Sequence, residues 1–239
     1  MSSESDDRSA SAEDHVGDQA PSGASRRRGL SPLTILGVLM LAVGVLALGY
    51  VGWEYFGTNV ISEREAESSI GDLRHTWDTA EPAAQESAEA PDAGRAAWLI
   101  RIPALGESYE WPVVAGVETD DLARGVGWYP MTAQPGQIGN FALAGHRVTH
   151  GEPFRRLLEL DEGAQIIIET QTAIYTYELT LPARQLTVQD TETWVIDPVP
   201  GKTDVEPTEA LITLTTCEDL FHSPDRSVAF GALVSTQEK

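Results

Sequence analysis

A single cysteine among 239 residues rules out an intramolecular disulfide, so any fold here rests on its own core. Basic side chains are also scarce. Sixteen Lys and Arg face 37 Asp and Glu, a formal net charge of -21. That excludes a surface that wraps nucleic acid, because phosphate binding relies on cationic side chains displacing counterions. The acidity reads as solubility and as a self-repelling linker. Clustered Cys and His at metal-ligand spacing, a D-x-D-x-D-G calcium loop and a glycine-rich phosphate loop are all missing. No metal and no organic cofactor is expected.

Large apolar side chains are nearly absent from residues 1–25, a stretch of Ser, Asp, Glu and Gly that cannot offset its own ordering entropy. They arrive abruptly at 33–53, LTILGVLMLAVGVLALGYVGW, where 21 consecutive residues carry no charge. At about 1.5 Å per residue such a helix spans roughly the 30 Å hydrocarbon layer. The segment starts too late and runs too long for a cleaved signal peptide and lacks an A-x-A exit, so it reads as a retained anchor. Arg26, Arg27 and Arg28 precede it; Glu54, Glu63, Glu65 and Glu67 follow. The positive-inside rule then puts the N-terminus in the cytoplasm and the C-terminal bulk outside, with Trp53, Tyr55 and Phe56 as an aromatic belt at the outer interface.

Four regions follow: a disordered tail at 1–30, a transmembrane helix at 31–56, an extracellular helix and linker stalk at 57–96, and a folded domain at 97–239. In the stalk, Ile70, Leu73 and Trp77 recur at helical spacing before an Ala, Glu and Pro stretch at 80–94. From Trp98 onward the pattern changes to short β-rich segments punctuated by Gly and Pro. WLIRIPAL, YEWPVVAGV, GNFALAGH, AQIIIET, AIYTYELT, RQLTVQ, EALITLTTC and SVAFGALVS each read as a strand. Eight strands fit a closed or nearly closed β-barrel, with helical turns expected at Asp120–Arg124 and Pro153–Leu158.

Cys217 ends the strand LITLTTC, and Arg226 follows nine positions later in SPDRSVAF. A strand end lets a side chain leave the core and meet a substrate, and a hairpin-like return brings the guanidinium beside the sulfur. A cationic neighbour favours the nucleophilic thiolate, and a fixed Arg donor pair suits an oxyanion. The bland alternative is a small buried thiol. Acyl transfer through a thiol also needs a proton donor for the departing amine. Of five histidines, His15 and His75 lie in tail and stalk. His146, ending a strand in FALAGHRVTHG, is favoured by position over His150 and His222.

The segments GVGWYPMTAQPGQIGNFALAGHRVTHGEPFRRL and LITLTTC, with Arg at Cys plus nine, resemble the sortases, most closely the class E group of actinobacteria. The resemblance runs from about Ala97 to the C-terminus and implies an eight-stranded sortase-type β-barrel. It further implies a cysteine transpeptidase with Cys217 as nucleophile, His146 as general acid and base, and Arg226 holding the substrate backbone and the oxyanion. In that family the thiolate attacks the Thr-Gly bond of an LAxTG- or LPxTG-like sorting signal on a secreted protein. An amine then resolves the thioacyl enzyme, supplied by a lipid-linked peptidoglycan precursor or, in pilin-polymerising members, by a pilin.

Tyr129, in GWYPMTA, matches the tyrosine of the H-Y-P segment of class E members, which is associated with Ala over Pro at the signal's second position; otherwise it is a buried aromatic beside Pro130. Trp128 replaces the usual histidine there. Thr216 offers a backbone N–H or hydroxyl to the oxyanion, with Thr215 as its neighbour, unless both are simply strand formers. Glu218 and Asp219 follow the cysteine where many relatives carry a neutral or basic residue and proline. They disfavour the thiolate by repulsion, or steer an amine inward. Arg147 reads as a surface or structural charge.

Overall fold

The computed structural model describes residues 31–53, 57–79, 90–217 and 223–239. The chain divides into two units, Met1–Val45 and Leu46–Lys239. The tail at 1–30, Tyr55, Phe56, His222, Glu218 and Asp219 lie outside the described residues.

Helix α1, Pro32–Gly52, is long and apolar enough to cross a membrane: its most apolar window has a mean hydropathy of 2.4 and none of its side chains is buried. Its start is written locally. Ser31 accepts the Thr34 N–H at 3.1 Å, and Pro32 sits where a missing N–H costs nothing. The protein is a candidate single-pass membrane protein on this helix.

In the second unit, α2 (Thr58–Thr79) precedes the β domain. It covers the part read as a short helix, whereas residues 80–89 of the linker lie outside the described residues, and it rests on β1 and β2 along one face. Ser62 and Ala66 are buried there, small enough to let the helix approach closely. Arg74 pairs with Glu110 at 2.6 Å, and the Lys239 ammonium sits 4.6 Å from the Trp77 ring centroid.

The strands are β1 Ala96–Arg101, β2 Glu110–Ala115, β3 Val126–Trp128, β4 Gly139–Ala144, β5 Gln165–Glu169, β6 Ala173–Leu181, β7 Thr187–Gln189, β8 Ala210–Cys217 and β9 Asp225–Glu238, with a short α3, Thr119–Leu122, before β3. The order β6-β5-β1-β2-β3-β4-β8-β9 closes through β6–β9 into an eight-stranded barrel. Two pairs, β2–β3 and β4–β8, are parallel. The expected barrel is therefore present, with two changes of detail. β3 supplies a strand too short to show alternation, and β7 lies outside the closed ring, paired only with Asp225, Arg226 and Ser227 at the start of β9.

Alternation on each strand sends one set of side chains inward. Trp98, Trp128, Phe141, Leu143, Ile212 and Leu214 belong to the core that fills the barrel. Trp98 meets Trp128 and Phe141 edge-on, at 5.2 and 5.5 Å between centroids. Trp128 is 1% exposed and donates its indole N–H to the Ala133 carbonyl at 3.0 Å. The residue that departs from the class E pattern is thus a barrel filler. The opposite phase of β4, β8 and β9 faces outward. There Val188, Val195 and Val228 form a satellite cluster, which is why β7 stays outside the ring. Asn140 and Thr213 tie the Thr193–Ile196 turn to that outer face: the Asn140 amide donates to Val195 and Asp197 carbonyls, and the Thr213 hydroxyl donates to Asn140.

Candidate active site

Cys217 is the last residue of β8, free and half-buried. Leu214 and Ile212, three and five residues back, point into the barrel core, so the thiol shares the outward face with Thr213 and Thr215. In the β8–β9 ladder Cys217 is paired with Arg226. Directly opposed residues of an antiparallel pair share a face, with Cβ atoms about 4.5–5.5 Å apart.

On the other side of β8 runs β4, in parallel register up to Ala144 opposite Thr215. Two places further on stand His146 and Cys217. The ladder continues into this extension, because the Gly145 N–H donates to the Thr215 carbonyl at 3.1 Å and the Thr216 hydroxyl donates to the Gly145 carbonyl at 2.8 Å. Gly145 has to be glycine: a Cβ there would come within 2.6 Å of the Phe154 ring. The Phe154 N–H in turn donates to the His146 carbonyl at 2.9 Å. His146, Cys217 and Arg226 therefore form one row across β4, β8 and β9, on the outer face of the barrel, with neighbouring strands about 4.8 Å apart.

The Arg226 guanidinium is anchored from behind. One amino group donates to the Ser223 carbonyl at 2.6 Å and to the Asp225 carbonyl at 3.1 Å, and the other lies 3.6 Å from an Asp190 carboxylate oxygen. A half-exposed pair of that length contributes at most about 1 kcal/mol. Its use is orientation of the fork.

The remaining sequence candidates fall in three places. Thr215 is on the row's own face, its hydroxyl donating to the Leu143 carbonyl at 3.1 Å. Thr216 turns inward, 3% exposed, with its hydroxyl committed to Gly145. Tyr129 continues the β3–β4 pairing, its N–H donating to the Ala142 carbonyl at 3.1 Å. That places it, partly exposed, on the outer face four residues of β4 before His146, or about 13 Å along the strand.

Two residues weighed less in the sequence lie against the row. Arg147 donates to the Cys217 carbonyl at 3.5 Å. The His150 ring stacks on His146, 4.9 Å between centroids and 26° between planes. Only the spacing His146-x-x-x-His150 hinted at the second, and nothing in an isolated Arg147 hinted at the first. Among the described residues no group of His, Cys, Asp and Glu is placed to hold a metal ion.

A thiol flanked by an imidazole and a guanidinium can form a thioester, protonate what leaves and hold the oxyanion, so fold and row together describe a β-barrel enzyme of cysteine acyl transfer. Comparison narrows the class. The family model of the sortase domain matches residues 100–234, and the chain belongs to the sortase family, whose members are cysteine transpeptidases. It is 32% identical over 213 residues to Sortase SrtE1 of Streptomyces coelicolor, a match covering 85% of this chain and 58% of that relative, so the chain spans less than two-thirds of its length. Among solved structures, sortase E from Streptomyces avermitilis superposes with a TM-score of 0.56 at 36% identity, over 62% of this chain and 93% of that one. Sortase E1 from Streptomyces coelicolor with a tripeptide in its active site gives 0.54 at 35%, over 63% and 94%.

Proposed function

We propose that this chain is a membrane-anchored transpeptidase that cleaves an LAxTG- or LPxTG-like sorting signal between Thr and Gly and passes the acyl group to an amine of a cell-wall precursor. The row of His146, Cys217 and Arg226 on the outer barrel face is the observation that carries this reading. The Cys217 thiolate adds to the threonine carbonyl carbon, and the Arg226 fork faces the oxyanion that forms. As the C–N bond breaks, His146 gives a proton to the departing glycine amine and leaves a thioester. His146 then takes a proton from the incoming amine as its nitrogen attacks that thioester, and Cys217 departs as thiolate. No net oxidation occurs, and one amide replaces another.

Tyr129 lies on the same outer face and contacts the signal away from the scissile bond, favouring Ala at its second position. Thr215 lines the groove beneath the substrate. The Thr216 hydroxyl bonds to Gly145 and its main chain is paired with Ser227 in the ladder, so Thr216 supports the strand that carries the nucleophile. With three arginines before α1 and acidic residues after it, the catalytic unit faces outward and meets secreted proteins carrying C-terminal signals. A lipid-linked peptidoglycan precursor in the same bilayer is the acyl acceptor.

The test is turnover of fluorogenic LAxTG and LPxTG peptides by the full chain in detergent, with and without a glycine-type amine. Wild type is expected to release the glycine fragment and form the aminolysis product, and Cys217→Ala to do neither. Absence of turnover by wild type, or equal turnover by Cys217→Ala, overturns the reading.

A further inference from the structure

The loop that follows His146 is held in an unusual shape by a helix far away in sequence. Thr149, His150, Gly151 and Glu152 all have positive φ, at 65°, 49°, 77° and 53°. Only one of the four is glycine, and that one is required, since a Cβ on Gly151 would come within 2.4 Å of the Trp111 ring. A left-handed conformation costs a non-glycine residue roughly 1–2 kcal/mol, so three such residues within a run of four persist only where their surroundings impose the shape.

The imposing contacts come from the first turn of α2. The Asn59 side chain makes two of them in opposite senses: its carbonyl oxygen accepts the Gly151 N–H at 2.9 Å, and its amide donates to a Glu152 carboxylate oxygen at 3.0 Å. Thr58 adds a long contact, its hydroxyl accepting the His150 N–H at 3.5 Å. Glu152 is also paired with Arg155. An asparagine is matched to this task, because one planar amide reads a main-chain donor and an acceptor carboxylate together. The strained loop carries His150, whose ring lies flat on His146.

We infer that Asn59 is a positioning residue for His146, acting through the Thr149–Glu152 loop and the His150 ring. This rests on the role of His146 proposed above. Helix α2 thereby forms part of the catalytic unit. When the Asn59 amide is lost, the loop relaxes toward right-handed backbone angles, His150 leaves the His146 ring, and the imidazole samples orientations unable to serve the leaving amine.

The experiment uses the full chain in detergent, with kcat and KM measured for sorting peptide and amine. A misplaced catalytic group costs up to about 100-fold, and Asn59→Ala is expected to lower kcat by about tenfold of that range with peptide KM within about twofold. Asn59→Asp keeps the acceptor for Gly151 but sets a carboxylate against Glu152, and lowers kcat likewise. Adding Glu152→Gln gives that carboxylate a donor again, so the double variant recovers to within about threefold of wild type, a coupling of neighbours. Arg74→Ala removes a contact about four turns along the same helix and leaves kcat unchanged.

The inference is overturned if Asn59→Ala or Asn59→Asp matches wild type, if the double variant is no better than Asn59→Asp, or if Arg74→Ala loses as much as Asn59→Ala. A wild type without turnover removes the enzymatic reading instead. The loop is then read by the NMR ring-proton shifts of His146 and His150, and identical shifts in wild type and Asn59→Ala overturn the positioning role by themselves.

Discussion

The two flanks of Cys217 are built differently. Arg226 is delivered by a continuous antiparallel ladder, in which seven successive residues of β8 pair with β9 up to Cys217 itself. His146 stands two places beyond the last pair of the β4–β8 ladder, at the mouth of a strained loop held by α2. One flank is fixed by main-chain hydrogen bonds that any strand-forming sequence provides. The other depends on particular side chains: a glycine that admits Phe154, a glycine that admits Trp111, and an asparagine 92 residues away from the N–H it accepts. The guanidinium side should therefore tolerate changes around it, and the imidazole side should not.

That contrast can be tested at graded cost. His146→Ala removes the proposed acid and base and is expected to lower kcat by about 10³-fold, within the range for such groups. The check is the pre-steady-state release of the glycine fragment, which should slow by the same factor. Arg226→Lys keeps the charge but loses the planar fork, and a lost oxyanion donor costs about 100-fold. If lysine restores wild-type kcat, the guanidinium serves only as a charge. Starting the chain at residue 80 deletes α2 while leaving all nine described strands. The barrel should still unfold cooperatively, yet kcat should fall by about tenfold; undiminished activity would erase the difference between the flanks. Asp190→Asn should be the mildest, within about threefold, since an exposed pair holds its arginine with at most about 1 kcal/mol.

Much of this arrangement was legible in the sequence for a physical reason. Period-two alternation in GNFALAGH and LITLTTC sets which face each residue takes, so a strand-terminal cysteine and an arginine nine residues on were readable as neighbours. The uncharged run at 33–53 needed only length and hydropathy, and α1 occupies it. What escaped was short or distant. β3 has three residues with Gly127 in the middle, too little for a period to show. β7 alternates like a barrel strand and differs only in what its outward valine packs against. Thr58 and Asn59 sit in a polar stretch whose composition says spacer, and their partners lie beyond position 149, where no local pattern reaches.

The strand that seals the barrel is β9, and among the nine described strands it is also the last to be made. β6 cannot complete its hydrogen bonding, and Cys217 cannot gain its arginine, until that segment arrives. A nascent chain emerging N-terminus first thus holds a row of open sheet edges for the whole time taken to synthesise residues 182–238. Unpaired edges of this kind are where chains associate with one another. The enzyme accordingly matures in a single late step, and truncations or stalls within β9 should yield aggregated, inactive polypeptide rather than a partly working catalyst.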